Sequence, residues 1–431
     1  MLITIDALRS DHLGCYGYPE PTSPNIDQLA AEGVRFENVT VPRALTWPSL
    51  CSLWTGLYPL SHRVRDGMQT LNPHLITLPS LFRQQGYRTG AFVTNYFPEE
   101  YGFETFENSF RQGELQGEWD RKAISRAMEW IAEDDNRPFF CWIHLMGPHT
   151  PYDPSPEFAG KFTNDKDYPV SGTIDELRNI TVSKTQLTSE QLSHLIGRYD
   201  AQIAESDALV GQLTSFMREE SLWQDTITVI SADHGEELYE HQNYFAHSGS
   251  IYEGSLRIPL IMIHPGQLPA GHSRQELAEI LDLFPTLIEL TGLDSTRLTR
   301  QRLEQNPIEP GGWSLVPLLK SENTDNNSPD PAWERVTFSE LYGDKGMIYA
   351  ARDLEWKLII NPQGSSAIPY KAAPYILEEK ELYNLIQDPR EQVNVAALIQ
   401  ENQNGDPQGR RGNRYHVSLR SDGSVDVARF A

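Results

Sequence analysis

The chain has 431 residues, 39% of them hydrophobic and 10% aromatic, with a formal net charge of -24. That length exceeds what a single core usually serves and points to two domains, or to one large domain with an appendage. The negative charge argues against nucleic acid and anionic membranes as partners, and it makes any anion site depend on a local positive group, most simply a metal ion. Three cysteines, Cys15, Cys51 and Cys141, are too few for a disulfide framework and suit a reducing compartment. The start of the chain does not read as a leader, and no apolar run reaches bilayer length. The expectation is a cytoplasmic protein without membrane insertion.

In chain order, "LITI" (Leu2 to Ile5) predicts a short buried strand. "SPNIDQLAAEG" then predicts a helix with Ser23 at its N-cap, Pro24 in its first turn and Gly33 as terminator. A second helix ends at Gly86 and leads into the strand "TGAFVT". A third, "RAMEWIAEDD", precedes a strand from Phe139 to Leu145. A long helical stretch from Arg198 precedes a strand within Asp225 to Asp233, and "RIPLIMI" gives another strand before the helix "ILDLFPTLIELTG". This alternation predicts an α/β fold over residues 1–325, a large mostly parallel sheet sandwiched by helices. After a polar, Pro-bearing linker over 321–332, the strand-rich pieces "RVTFSELY", "GMIYAARD" and "EWKLIINP" predict a small C-terminal antiparallel sheet over 333–400. A polar tail follows over 401–431. The weakly periodic segment 153–193 has the length of a lid or specificity loop.

Open α/β sheets bind ligands beyond the carboxyl ends of their strands. Asp6 follows the first strand, His144 and His149 come at and after the end of the Phe139 strand, and Asp233-His234 follows "TVISA". Two carboxylates, an imidazole and a hydroxyl form an oxygen and nitrogen shell suited to a divalent cation, which also acidifies a bound hydroxyl. The hydroxyl candidate is Thr46, in "RALTWPSLCSLWTGLYPLSHR", on a loop that Pro48 stiffens and Ser49 helps cap into a helix. Other polar residues have plainer readings. His62 and His144 read as hydrogen-bonded structural histidines, Glu236 and Glu237 as a solvated loop or helix cap, and His12 and His241 as charged surface. Trp47 and Trp142 read as packing residues.

Taken in order from Ile3 to about Ala397, these segments resemble the sulfatase family within the alkaline phosphatase superfamily. The resemblance rests on "ITIDALRSDHLGCYGY", "TSPNIDQLAAEGVRFENV", "TWPSLCSLWTGLYPLSHRV", "HLMGPHTPYDP", "SADHGEELYEH", "YEGSLRIPLIM", "LDLFPTLIELTGL" and "ELYNLIQDPREQVNVA". It implies that Asp6, Asp233 and His234 are metal ligands and that Thr46 is both ligand and nucleophile. It implies that His149 is an active-site histidine. His247 lies near the family's lysine, which without a gap falls on Ser248, and His247 is taken as the catalytic residue of the two. The implied cofactor is one divalent metal ion, with Zn or Mn favoured by the His234 nitrogen and Ca or Mg open. The implied partner is a small anionic ester, and the oligomeric state is open.

The departures from the family pattern carry chemistry. Sulfatases oxidise a Cys or Ser to formylglycine, and Thr46 cannot yield that aldehyde because its β-carbon bears a methyl group. Leu50 replaces the motif arginine, Ala7 the paired aspartate, and Thr94 and Tyr96 the lysine and histidine after the second strand. His234 stands where many sulfatases have Asn, which resembles phosphonate and phosphodiester hydrolases and phospholipid head-group transferases. A threonine sulfate ester lacks the elimination route of a formylglycine hydrate, whereas a threonine phosphate ester is resolved by in-line attack at phosphorus. The resemblance therefore implies a metal-dependent ester hydrolase acting on a phosphodiester, phosphomonoester or phosphonate ester. Sulfuric ester hydrolysis without formylglycine, phosphotransfer to an alcohol and a catalytically quiet binding protein stay open.

Overall fold

A computed structural model of the chain describes residues 1–67, 69–97, 100–108, 110, 115–133, 136–163, 170–241, 244–294, 311–321, 329–330, 332–343, 346–362, 366–368, 375–396, 414–419 and 425–430. The β-branched start forms β1 (Leu2–Ile5), buried along its whole length. The other strands of its sheet are β2 (Val34–Thr40), β3 (Arg88–Val93), β4 (Thr105–Glu107), β5 (Phe139–Leu145), β6 (Thr228–Ala232), β9 (Arg257–Ile263) and β10 (His272–Glu279). Between them β7 (Glu237–Leu238) and β8 (Phe245–Ala246) make a short hairpin. The eight-stranded order is β10-β2-β9-β6-β1-β5-β3-β4. Neighbours within the run β6-β1-β5-β3 are all parallel, while β9 runs antiparallel to β2 and β6. The mostly parallel sheet is as expected.

The helices are α1 (Pro24–Ala31), α2 (Thr46–Thr55), α3 (Pro59–His62), α4 (Leu78–Gln84), α5 (Gln116–Ala132), α6 (Ile174–Ser183), α7 (Ser189–Glu219), α8 (Glu253–Leu256) and α9 (Leu283–Thr291). Packing of α5 on the sheet needs Gly90 in β3, because a Cβ there would meet the Trp130 indole at 2.8 Å. Ser23 sits at the N-cap of α1 without bonding the helix backbone; its hydroxyl accepts from Gly14 N and donates to Asp27. The segment 153–193 contains α6 and the start of α7, and its residues 164–169 lie outside the described ones. No helix among the described residues is long and apolar enough to cross a membrane.

Strands β2, β4 and β10 are absent from the sequence expectation. The last of these carries Arg274, Glu276 and Glu279, all three buried. Glu279 is held by Arg335 Nη2 at 2.6 Å and by the Tyr58 hydroxyl at 2.6 Å.

The second sheet is antiparallel, in the order β11 (Thr337–Gly343), β12 (Gly346–Arg352), β13 (Trp356–Ile360) and β16 (Lys380–Asn384). The strands β14 (Ser366–Ile368) and β15 (Tyr375–Leu377) pair separately. All of this belongs to one compact unit, Met1–Val393. Glu340 N donates to Pro42 O at 2.8 Å and Ser339 Oγ to Val41 O at 2.8 Å, fastening β11 beside the segment that leads into α2. The second unit, Asn394–Ala431, holds the antiparallel pair β17 (Arg414–Leu419) and β18 (Val425–Phe430). Within the expected linker, residues 322–328 and 331 lie outside the described ones, as do 401–413 of the tail.

A buried charge cluster joins the small sheet to α8. Lys357 Nζ lies 3.1 Å from Glu253 Oε1 and 2.8 Å from Glu391 Oε1, and Arg352 also pairs with Glu253. Burial alone would raise Glu253, but Arg352 and Lys357 hold it down at about 2. Removing one partner of such a cluster strands the others in a low-dielectric interior. Lys357→Met is expected to cost about 3–5 kcal/mol, read as a lower urea midpoint; an unchanged midpoint would show that the cluster contributes no net stability.

Candidate active site

The parallel strands β6, β1, β5 and β3 end on one edge of the sheet, so the residues after them share a crevice. Asp6 continues the β1 pairing, its N donating to Leu145 O at 2.9 Å. Beyond β6 lie Asp233 and His234. One ligand atom from each of Asp6, Asp233 and His234 falls within 4.8 Å of the other two, and all three residues are buried.

Each side chain is gripped on one side and bare on the other. Asp233 Oδ1 accepts from His234 N at 2.9 Å and from Ala7 N at 3.3 Å, while its Oδ2 is buried with no hydrogen-bond partner. Asp6 Oδ2 accepts from Asn95 Nδ2 at 3.0 Å and faces His144 Nε2 at 3.4 Å; its Oδ1 is likewise without a hydrogen-bond partner. His234 Nδ1 must donate to Gly235 O at 2.9 Å, because a carbonyl only accepts, and this leaves a lone pair on Nε2. That Nε2 lies 3.3 Å from Asp233 Oδ2, 3.5 Å from Asp6 Oδ1 and 3.2 Å from Thr46 Oγ1. Buried acceptors aimed at one another repel unless a cation sits among them. The donor set therefore fits a divalent metal ion with mixed oxygen and nitrogen ligands.

Electrostatics agree with this fit. Burial would raise Asp6, but His149, His144 and His234 together hold it well below the ordinary carboxylate range. Burial and the Asp6 charge push Asp233 up. Burial lowers His234 to about 4, against the pull of Asp233, so its imidazole is neutral, as a metal ligand must be.

Thr46 is the first residue of α2 and is only partly buried, so its hydroxyl is reachable. Pro48 lies in the first helical turn, where a missing N–H costs nothing. Ser49 does not cap the helix: the N-cap is Leu45, and Ser49 N already donates to Leu45 O at 3.1 Å. Trp47 is 4% exposed, stacked on Phe97 at 5.3 Å with its indole donating to Gln69 O at 2.6 Å, so it is a packing residue next to Thr46.

Three further histidines surround the cluster. His247 stacks on His234 with ring centroids 3.9 Å apart, and His149 lies 5.1 Å beyond it. His149 Nδ1 donates to Thr150 O at 2.6 Å, leaving Nε2 with the other role. The loop carrying it is fixed by Asp120 of α5, which accepts from Met146 N at 2.7 Å and Gly147 N at 3.0 Å. His144 is a buried histidine bonded to Thr4, as expected, but it also faces Asp6. Trp142 Nε1 can only donate to Thr4 Oγ1 (2.9 Å), so the Thr4 hydrogen is available for His144 Nδ1 at 2.8 Å. This pattern places the remaining ring proton on Nε2, toward Asp6.

Several plain readings need correction. Glu236 and Glu237 are wholly buried rather than solvated, and Glu236 Oε1 lies 3.4 Å from His247 Nδ1. His12 is buried against Asp200 at 2.7 Å, and His241 pairs with Glu237 at 2.9 Å; neither is free surface charge. The structural reading of His62 needs no correction: it is buried and bonds Ser52 at 3.0 Å. Asn95 is the residue missed outright. Its only sequence signal is its position just after β3, at the same edge as the other strand ends.

A family model described as "Sulfatase" matches residues 1–293. Arylsulfatase K of Canis lupus familiaris is 26% identical over 434 aligned residues, which cover 88% of this chain and 75% of that protein. Among solved structures, the phosphonate monoester hydrolase of Agrobacterium radiobacter is similar with a TM-score of 0.72 and 21% identity, over 93% of this chain and 92% of that one. A protein solved in complex with its substrate D-glucosamine-2-N,6-O-disulfate gives 0.71 and 20%, over 94% and 95%. At these identities the two structures establish likeness of fold. The relatives correct one expectation: arylsulfatases K, among them the dog and human proteins, are not cytoplasmic enzymes, so the cytoplasmic placement inferred from the cysteine count and chain start does not stand.

Proposed function

The chain belongs to the sulfatase family, whose members hydrolyse sulfuric or phosphoric esters, and from that premise we propose that it cleaves a phosphoester with Thr46 as nucleophile. The observation that carries the proposal is a threonine, unable to become formylglycine, at the head of α2 and 3.2 Å from His234 Nε2. Asp6, Thr46, Asp233 and His234 would hold the divalent cation. When bound, it supplies positive charge that acidifies the Thr46 hydroxyl and offsets charge on the phosphoryl group. Thr46 Oγ1 forms a bond to phosphorus as the bond to the leaving oxygen breaks, and water then attacks the threonine ester in line. The first turn of α2 adds backbone N–H groups without intrahelical acceptors, suited to an anionic ester.

The leaving oxygen needs a proton, and the family's arginine and lysine are absent from their usual places. His149 and His247 stand nearest that role. Burial and His149 lower His247 to about 3; an anionic ester beside it acts in the opposite direction. Both His149→Ala and His247→Ala are expected to lower turnover. For at least one of them the loss should be about 10²–10⁴-fold with alkyl esters and far smaller with nitrophenyl esters, which leave without a proton. Equal losses across a leaving-group series would assign both histidines to substrate positioning instead.

Hydrolysis of a sulfuric ester is the second reading, favoured by the 26% identity to arylsulfatase K. The two are separated by metal analysis together with matched aryl phosphate, phosphodiester, phosphonate ester and sulfate substrates on one preparation. Phosphoester turnover well above sulfate turnover is expected. The reverse order would replace the first reading with the second.

A further inference from the structure

We propose that Glu236 is the positioning residue for His247, holding its imidazole so that Nε2 is the atom that exchanges the proton with the leaving group; this rests on the reading of His247 given above. The two consecutive glutamates after the Asp233-His234 pair differ sharply. Glu237 is satisfied at both oxygens, accepting from Ser250 Oγ at 2.9 Å and pairing with His241 Nδ1 at 2.9 Å. Glu236 is equally buried, yet its side chain has one hydrogen-bond partner among the described residues, His247 Nδ1 at 3.4 Å, and its Oε2 has none. An unpaired buried acceptor costs about 1–3 kcal/mol, so packing alone does not account for a carboxyl group here. Its one contact points into the site.

The consequence follows from hydrogen-bond roles. Whether ionised or carrying one proton on Oε2, the carboxyl group offers Oε1 as an acceptor, so Nδ1 of His247 is the donor. Proton exchange is then confined to Nε2. The ring is also held between the imidazoles of His234 and His149, at centroid distances of 3.9 and 5.1 Å, so its orientation is set from three sides. Without Glu236 the neutral ring could carry its proton on either nitrogen, and a smaller share of molecules would keep the Nε2 lone pair free to take up the proton that it passes to the leaving oxygen. A second group that fixes a histidine's tautomer typically contributes about 10–100-fold.

The test is a double-mutant cycle on the metal-loaded enzyme, with alkyl and nitrophenyl esters, joined to a tautomer measurement on the native protein. Glu236→Gln preserves volume and is expected to lower kcat for alkyl esters about 10–100-fold, with little effect on nitrophenyl esters. In the His247→Ala background it should add almost nothing. Glu236→Asp, which keeps the carboxyl group, should recover part of the loss if it folds. Nitrogen-15 spectra of labelled histidine should show His247 as the Nδ1–H form in the native enzyme and as a mixture in Glu236→Gln. An Nε2–H native form, or a full additional loss in the His247→Ala background, overturns the proposal. If His247→Ala leaves the leaving-group series flat, the role of His247 fails, and the tautomer spectra still decide whether Glu236 positions the ring.

Discussion

Thr46→Ala should lower kcat on the preferred phosphoester by on the order of 10⁴-fold or more, the range found when a covalent nucleophile is removed. The fold should barely register the change. Thr46 is partly exposed at the head of a helix whose next nine residues, Trp47 to Thr55, are all buried, so α2 is held by its packing and not by this hydroxyl. Stability is expected within about 0.5 kcal/mol of the parent. Thr46→Ser is the informative companion. It keeps the hydroxyl and should retain substantial activity, whereas Thr46→Val keeps the shape and should not. Intact mass should show an unoxidised threonine in the purified enzyme. Full activity in Thr46→Ala would assign the attack to water and leave Thr46 as a bystander.

Asp233→Ala is the second large effect. The bare Oδ2 of Asp233 and Oδ1 of Asp6 converge on the His234 Nε2 lone pair, so removing one carboxylate should abolish tight cation binding rather than merely weaken it. Stringently purified parent protein is expected to carry about one divalent ion per chain, and the variant far less, with turnover falling in step. A ligand bound at 1,000 times its Kd adds about 4.1 kcal/mol to stability. Chelation should therefore lower the parent Tm by several degrees and leave that of Asp233→Ala unmoved. Affinity for the ion should rise with pH over the range where the imidazole and carboxyl ligands lose protons, since the ion competes with those protons. A parent protein that holds no ion and cannot be reconstituted would contradict the site as described.

What could be read in advance was whatever depends on local period and on the strand-end rule. Asp6, His149 and Asp233-His234 each follow a short apolar run, and parallel strands bring such residues to one edge. Thr46 as nucleophile came from the resemblance of "TWPSLCSLWTGLYPLSHRV" to the family's signature segment. The supporting residues are set by tertiary register instead. His144 reaches Asp6 because β1 and β5 are neighbours with Thr4 opposite His144, and nothing local to "CWIHL" states that pairing. Asn95 grips Asp6 across 89 residues of sequence. Glu236 looked solvated because "DHGEELYEH" is rich in charge, and nothing local to that segment states that it is buried beside His247, eleven residues on. The same limit hid β10, whose Glu279 is held by Arg335 and Tyr58 from distant segments.

The central claim is that Thr46 Oγ1 forms a covalent ester with the transferred phosphoryl group. Two successive in-line displacements, first by Thr46 and then by water, each invert the configuration at phosphorus. The direct measurement is therefore the stereochemical course of hydrolysis of an ester made chiral at phosphorus with oxygen isotopes, which does not depend on trapping a short-lived adduct. Net retention is the predicted result. Net inversion would mean a single displacement by water, and would contradict Thr46 as the nucleophile.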